Sequence, residues 1–247
     1  MITIVLLGYG NVGQHLYNVM EAAKDVDVVQ VYNRTKHKTL KTPQTQDLKA
    51  LVSADVYIIA IPDDAIGEFS ESLPFKNRLV VHTSGGAHMD VLSSNNLRGI
   101  FYPLQTFSKI TKVDFSTIPI CVEAENEADL QLLKKLGDCI SEKVVEISSS
   151  AREKLHVAAV FVNNFTNHLY HIAETITAEN KLDFNLLKPL ITETARKIET
   201  LSPAQAQTGP AKRNDKKTIE KHLKLLENSK YRDLYEHLTE SIENSGE

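Results

Sequence analysis

The chain has little cysteine, no basic excess and no long uninterrupted apolar run. Its two cysteines, Cys121 and Cys139, are too few and too far apart for a disulfide framework or a metal cage. They read as reduced thiols of a cytosolic fold. A net charge of -4 argues against a general nucleic-acid binder, which would carry a strong positive excess. The apolar start, Ile2 to Leu7, has no basic segment before it and runs straight into a glycine turn, so it reads as a strand and not as a signal peptide. From Leu155 to Ala173 no Asp, Glu, Lys or Arg occurs, but His156, Asn163, Asn164, Asn167, His168 and His171 would be costly in lipid, and a helix buried in protein is expected there. No repeat and no low-complexity tract is visible. What remains is a cytoplasmic protein of 247 residues, enough for one large domain or two small ones.

Short apolar runs alternate with helical spacing through the first part of the chain. Strands are expected at 3–7, 28–32, 56–61, 79–82, 99–102, 119–122 and 144–147, with helices at 12–23, 65–72 and 128–140. Continuous apolar strands separated by helices indicate a doubly wound parallel sheet covered on both faces, an α/β fold of Rossmann type. Beyond residue 147 the pattern becomes entirely helical. Ser150 and Glu153 read as a capping box, and helices are expected at 150–179, 183–201, 215–228 and 230–243. The expected organisation is therefore a dinucleotide-binding domain at 1–150 and an all-α domain at 151–247. The stretch 202–214 holds two prolines and a glycine and should be largely non-helical.

Gly8-Tyr9-Gly10-Asn11-Val12-Gly13 is a G-x-G-x-x-G turn that leaves a strand and opens a helix, the context in which this pattern binds a dinucleotide. Gly8 permits the turn, Gly10 lets backbone approach a pyrophosphate, and Gly13 allows close helix–strand packing. An NAD-binding chain usually carries Asp or Glu at the end of the second strand. Here Tyr32-Asn33-Arg34-Thr35 stands there without a carboxylate, and Arg34 has the planar fork that pairs with a 2′-phosphate. NADP is thus expected over NAD. Ile61 and Pro62, at the end of the third expected strand, complete the candidate cofactor set.

On the helix at 155–176 one apolar stripe runs through Leu155, Ala158, Val162, Phe165, Leu169, Ile172 and Ile176, with His156, Asn163, Asn167, His171 and Glu174 roughly opposite. Imidazoles and amides suit a closed polar cleft better than a solvated face. His156 is the first candidate for proton transfer, because imidazoles as a class suit acid–base work and it lies where the two domains are expected to meet. His82, Ser84 and Gln105 follow strand ends, where open α/β sheets bind ligands. Asp215 is a good N-cap amid a basic neighbourhood that includes Arg213. The apolar helix at 155–176 has more hydrophobic surface than the helical domain readily hides, which points to a homodimer through the C-terminal helices.

On Gly8–Gly13, His82-Thr83-Ser84-Gly85, Tyr102-Pro103-Leu104-Gln105-Thr106-Phe107, His156 with Asn164, and Gly209-Pro210 with Arg213 and Asp215, the chain resembles the DUF2520 family. That family is related to the NADP oxidoreductases of the coenzyme F420-dependent type, and more distantly to pyrroline-5-carboxylate and ketopantoate reductases. The resemblance implies an NADP-binding domain followed by a helical domain that commonly dimerises. It supplies no established substrate. Related hydroxyacid dehydrogenases carry a catalytic lysine on the long helix where this chain has His156, and Asn214 replaces the more usual glycine between Arg213 and Asp215. The reading is an oxidoreductase passing a hydride between NADP(H) and a small polar substrate, with His156, Asn164 and His82 as catalytic candidates. Ser84, Gln105, Asn163 and Arg213 would bind the substrate. A non-catalytic NADP-binding sensor, and transfer to a deazaflavin, are the alternatives; no metal, nucleic acid or membrane is expected.

Overall fold

A computed structural model describes residues 1–38, 40–108 and 113–245. The chain falls into two compact units, Met1–Asn164 and Phe165–Glu247. The first therefore runs beyond the boundary expected at residue 150.

In the first unit, eight strands form one sheet in the order β3-β2-β1-β4-β5-β6-β7-β8. They are β1 (Ile2–Leu7), β2 (Val26–Tyr32), β3 (Gln44–Thr45), β4 (Val56–Ile59), β5 (Leu79–His82), β6 (Leu97–Pro103), β7 (Ile120–Ala124) and β8 (Val144–Glu146). The helices are α1 (Asn11–Ala22), α2 (Ile66–Glu71), α3 (Glu127–Asp138) and α4 (Ser149–Ala159). Strand alternation explains why β1 is apolar throughout. Ile4 and Leu6 pack with Leu16 and Met20 of α1 and Leu133 and Leu136 of α3. Val5 and Leu7 face the other way, with Tyr57, Ile59 and Ile66 of α2. The chain has the Rossmann-type α/β fold.

One pairing corrects the expectation of a wholly parallel sheet: β6 and β7 are antiparallel, from Gly99 opposite Ala124 to Pro103 opposite Ile120. A parallel return needs a crossover, usually a helix, and between these two strands only one 3₁₀ turn, Phe115–Thr117, is found among the described residues. The two-residue β3 was missed because nothing so short has a period.

The start of α4 is a second correction. Its N-cap is Ser148, whose side chain accepts from the Ala151 amide, so Ser150 and Glu153 do not form the box. The neighbouring Ser149 hydroxyl instead donates to Glu123 at 2.6 Å and accepts from the Met89 amide at 2.9 Å. Arg152, fully buried, reaches Glu123 at 3.1 Å, Ser149 at 3.2 Å and the Ala87 carbonyl. These bonds bind α4 to β7 and to the segment after β5. A π-helical turn, Val160–Phe165, follows α4 and interrupts the single α-helix expected over 150–179.

The second unit contains α5 (Thr166–Glu179), α6 (Lys188–Lys197), α7 (Pro203–Ala206), α8 (Lys216–Leu225) and α9 (Arg232–Asn244). The short α7 lies in the stretch expected to be largely non-helical and is held by a capping box of Ser202 and Gln205. Asp215 caps α8 as expected, accepting from Thr218. Asn214 has φ 52°, in the left-handed region that glycine favours and asparagine tolerates, which accounts for the replacement at that position. Ile172, Ala211 and Ile219 are buried, while Leu186, Leu190 and Leu225 are 64–76% exposed. Among the described residues no helix is long and apolar enough to cross a membrane.

Candidate functional site

At the carboxyl ends of the strands, the glycine turn is held by its own geometry. Gly8 has φ 112°, and a Cβ on it would lie 2.4 Å from the Ala60 carbonyl oxygen. A Cβ on Gly13 would lie 2.3 Å from the Gly8 oxygen. Around Gly10 there is open space instead, so its lack of a side chain serves approach from outside and not internal packing. As N-cap of α1, Gly10 makes no side-chain cap, which leaves the first amides of the helix for an anion. Asn33, at the end of β2, accepts from the Tyr9 amide at 3.2 Å and donates to the Thr35 carbonyl at 2.7 Å. It ties the turn to the segment that carries Arg34.

Two cavities flank this turn, both within the first unit. One of about 810 Å³ is lined by Gly8, Tyr9 and Gly10, by Asn33, Arg34 and Thr35, and by Ile61 and Pro62. Every cofactor candidate is here except Asn11, Val12 and the packed Gly13. Arg34 is exposed at its edge, and Leu48 and Phe69 add apolar wall. The carboxylates of Asp64 and Glu68 also line it from the side of α2.

The other cavity, of about 570 Å³, is lined by Asn11 and Val12, by Tyr102, Gln105 and Phe107, and by Leu155, His156, Asn163 and Asn164. None of the described residues lining it is charged. His156 and Asn164 are thus brought together with Gln105 and Asn163. The π-turn carries both amides, and such turns occur often at functional sites.

His156 is half-buried, and its Nδ1 lies 3.4 Å from the Tyr102 hydroxyl. The Tyr102 side chain is nearly buried, and burial, followed by the nearby Cys121, pushes its phenol up to about 12. Asp63 stands on the other side, its carboxylate accepting from Ser84 Oγ at 2.6 Å.

His82 is corrected from a catalytic candidate to a loop-shaping residue. It is wholly inaccessible, its Nδ1 accepts from the Ser84 amide at 3.2 Å, and its Nε2 faces the His88 carbonyl at 3.3 Å. Burial first, and then the Arg152 guanidinium, lower its pKa to about 4, so it is neutral. Ser84 is occupied likewise: besides Asp63, it accepts from the amides of Gly86 and Ala87 at 3.1 and 2.9 Å. Arg213 belongs to the second unit, where it is exposed, and is not among the residues lining either cavity. Sequence reasoning gave no role to Asp63, Tyr102 or Arg152. Among the described residues no group of three His, Cys, Asp or Glu could hold a metal ion.

The structure thus joins a Rossmann fold to two cavities divided by its glycine turn. The chain belongs to the DUF2520 family, a domain of unknown function whose model matches residues 118–242. A crystal structure from Bacteroides fragilis, of a protein provisionally described as an NADP oxidoreductase, is 38% identical over 98% of both chains, with a TM-score of 0.89. A protein from Thermotoga maritima is 20% identical over 98% of this chain and 97% of its own, at 0.76. The NADP-bound pyrroline carboxylate reductase of Plasmodium falciparum is 12% identical over 98% of each chain, at 0.64. The last two show the fold alone. No curated protein matches the chain.

Proposed function

We propose that this protein is an NADP-dependent oxidoreductase acting on a small, polar, uncharged substrate. The observation that carries the reading is the pair of cavities on either side of one glycine turn, Arg34 lining one and His156 the other. A dinucleotide needs such a bipartite site, with bare amides at the middle for its pyrophosphate. The residues present fit it: the open space at Gly10, the uncapped start of α1, and Arg34 with Thr35 for a 2′-phosphate. The description of the Bacteroides fragilis relative as an NADP oxidoreductase supports the same assignment.

When bound, the cofactor would supply or accept a hydride. This chain's share is to exclude water with the apolar walls of Leu104, Phe107 and Leu155, to orient the substrate through Gln105, Asn163 and Asn164, and to exchange a proton at His156. A charged group on the substrate would find no Asp, Glu, Lys or Arg among the described lining residues.

Titration with both reduced cofactors tests the first half. NADPH should bind more tightly than NADH, and Arg34→Ala should remove about 1.5–3 kcal/mol of that preference. Equal or tighter binding of NADH would overturn it. For the second half, His156→Gln should keep NADPH binding and lose about 10²- to 10⁴-fold in turnover of a reducible carbonyl or imine substrate. A variant with unchanged turnover would make His156 a packing residue and leave a cofactor-binding module.

We also propose that the protein works as a homodimer through the exposed leucines of the second unit.

A further inference from the structure

The ring of His156 rests against Tyr102 and the Gly85–Gly86 backbone, and the fit is close. A Cβ added to Gly85 would come within 2.5 Å of His156 Nδ1, 2.7 Å of Tyr102 Cζ and 2.8 Å of the Tyr102 hydroxyl. Gly85 has no positive φ, so backbone conformation does not demand a glycine there. The space its side chain would occupy is the space in which the phenol and the imidazole meet. The other edge of the ring is turned toward Gly86: Cδ2 lies 3.5 Å and Nε2 3.9 Å from the point a Cβ there would take, with Asp63 Oδ2 at 3.8 Å from the same point.

We infer that Tyr102 is a positioning residue for His156, fixing which of its two nitrogens carries the proton presented to the substrate. This deepens the reading of His156 as the proton-transfer residue and rests on it. A hydroxyl on a side chain this buried is costly to leave without an acceptor, and among the described residues the acceptor within reach of Tyr102 is His156 Nδ1 at 3.4 Å. The phenol therefore donates to Nδ1, and the neutral ring holds its proton on Nε2. With its pKa pushed up to about 12, the phenol stays a donor throughout the range in which an imidazole titrates. When the ring is protonated, the hydroxyl turns and its oxygen accepts from Nδ1–H, so the proton that can leave is again the one on Nε2. Of the charged groups among the described residues, the Asp63 carboxylate lies across Gly86, on the Nε2 side, and Arg152, one turn back on α4, is engaged by Glu123. The ring is thus held at Nδ1 by a neutral partner, with the Asp63 carboxylate on the side of Nε2.

Nitrogen-15 spectra of the imidazoles test this on the intact protein without any substrate. The His156 signals are assigned by their loss in His156→Gln. In the wild-type protein at a pH where the ring is neutral, Nε2 should appear protonated and Nδ1 as a hydrogen-bonded acceptor, with a cross-peak from His156 to a slowly exchanging Tyr102 hydroxyl proton. Tyr102→Phe should abolish that proton, shift Nδ1 to the position of a free acceptor and admit the Nδ1–H form. Gly85→Ala, which forces the rings apart while keeping the hydroxyl, should likewise remove the cross-peak and shift Nδ1 to the position of a free acceptor. The inference is overturned by a wild-type ring protonated on Nδ1, or by His156 signals that neither variant moves. Should both variants fail to fold, the wild-type spectrum decides alone: a His156 ring without the hydroxyl cross-peak overturns the inference. NADPH affinity is measured in parallel. Unchanged affinity with a lost tautomer preference confines the effect to His156, whereas absent NADPH binding in the wild type would sink the oxidoreductase reading and leave the Tyr102–His156 result standing.

Discussion

At the scale of single residues, His82 shows how burial redirects a titratable group. Its pKa in the folded chain is about 4, below the ordinary 6.5. Between these values the unfolded chain binds the proton and the folded chain does not, so stability rises with pH across that window and is lost as pH falls through it. The full contribution is present above about pH 6.5 and amounts to up to about 3 kcal/mol. Urea unfolding at pH 7 and pH 4.5 should therefore show a steeper acid loss in the wild-type protein than in His82→Gln. Parallel slopes would mean that His82 is not the group responsible. The sequence placed His82 at a strand end but could not show that its own loop uses both ring nitrogens. The partners, Ser84 and His88, are near in sequence, yet only the fold decides whether a ring faces a cleft or the core. For Arg152 the local sequence is misleading: an arginine in the second turn of a helix reads as solvated, and its burial depends on Glu123 and Ala87, far away along the chain.

Among the elements, the glycine turn was legible because its chemistry is local. Three glycines at fixed spacing between a strand and a helix define the same geometry in any chain. The structure separates their roles, and this yields a contrast. Gly13→Ala places a methyl against the Gly8 carbonyl and Gly8→Ala places one against the Ala60 carbonyl, in each case under 3 Å from backbone that cannot move aside. Both should lower stability by about 2–4 kcal/mol, read as a fall in melting temperature. Gly10→Ala meets nothing within 4 Å and should melt normally, while its NADPH affinity drops at least tenfold. A Gly10→Ala protein that binds NADPH as tightly as wild type would show that the dinucleotide backbone does not approach there. Strand direction was the illegible part. The apolar run of β7 reads the same whichever way it is threaded, and only its pairing with β6 reveals the reversal. The π-turn is equally silent in sequence, since it arises where side-chain packing shifts the backbone bonding and not from a residue preference.

For the whole molecule, the two units differ in how much they hide. The first encloses an apolar layer on both faces of its sheet. The second buries Ile172, Ala211 and Ile219 but leaves Leu182, Leu186, Leu190, Ile198 and Leu225 more than half exposed. These exposed apolar side chains are what the proposed dimer would cover. Sedimentation at micromolar concentration should give twice the 27.6 kDa of the chain. Replacing Leu186 and Leu190 by Glu together should yield monomers that retain the first unit's fold. A wild-type monomer would refute the dimer.

The Arg152 cluster has a consequence for motion. Arg152 sits four residues before His156, and its bonds to Glu123, Ser149 and Ala87 clamp the first turns of α4 to the sheet and to the segment that continues from Gly85 and Gly86. These bonds tie the turn that carries His156 to the backbone beneath its ring. In hydrogen exchange, the α4 amides between Arg152 and His156 should open as slowly as those of β7, on the clock of global unfolding, while the π-turn amides exchange faster. Under the function proposed above, a proton donor at His156 mounted this way would keep its aim while a substrate enters and leaves.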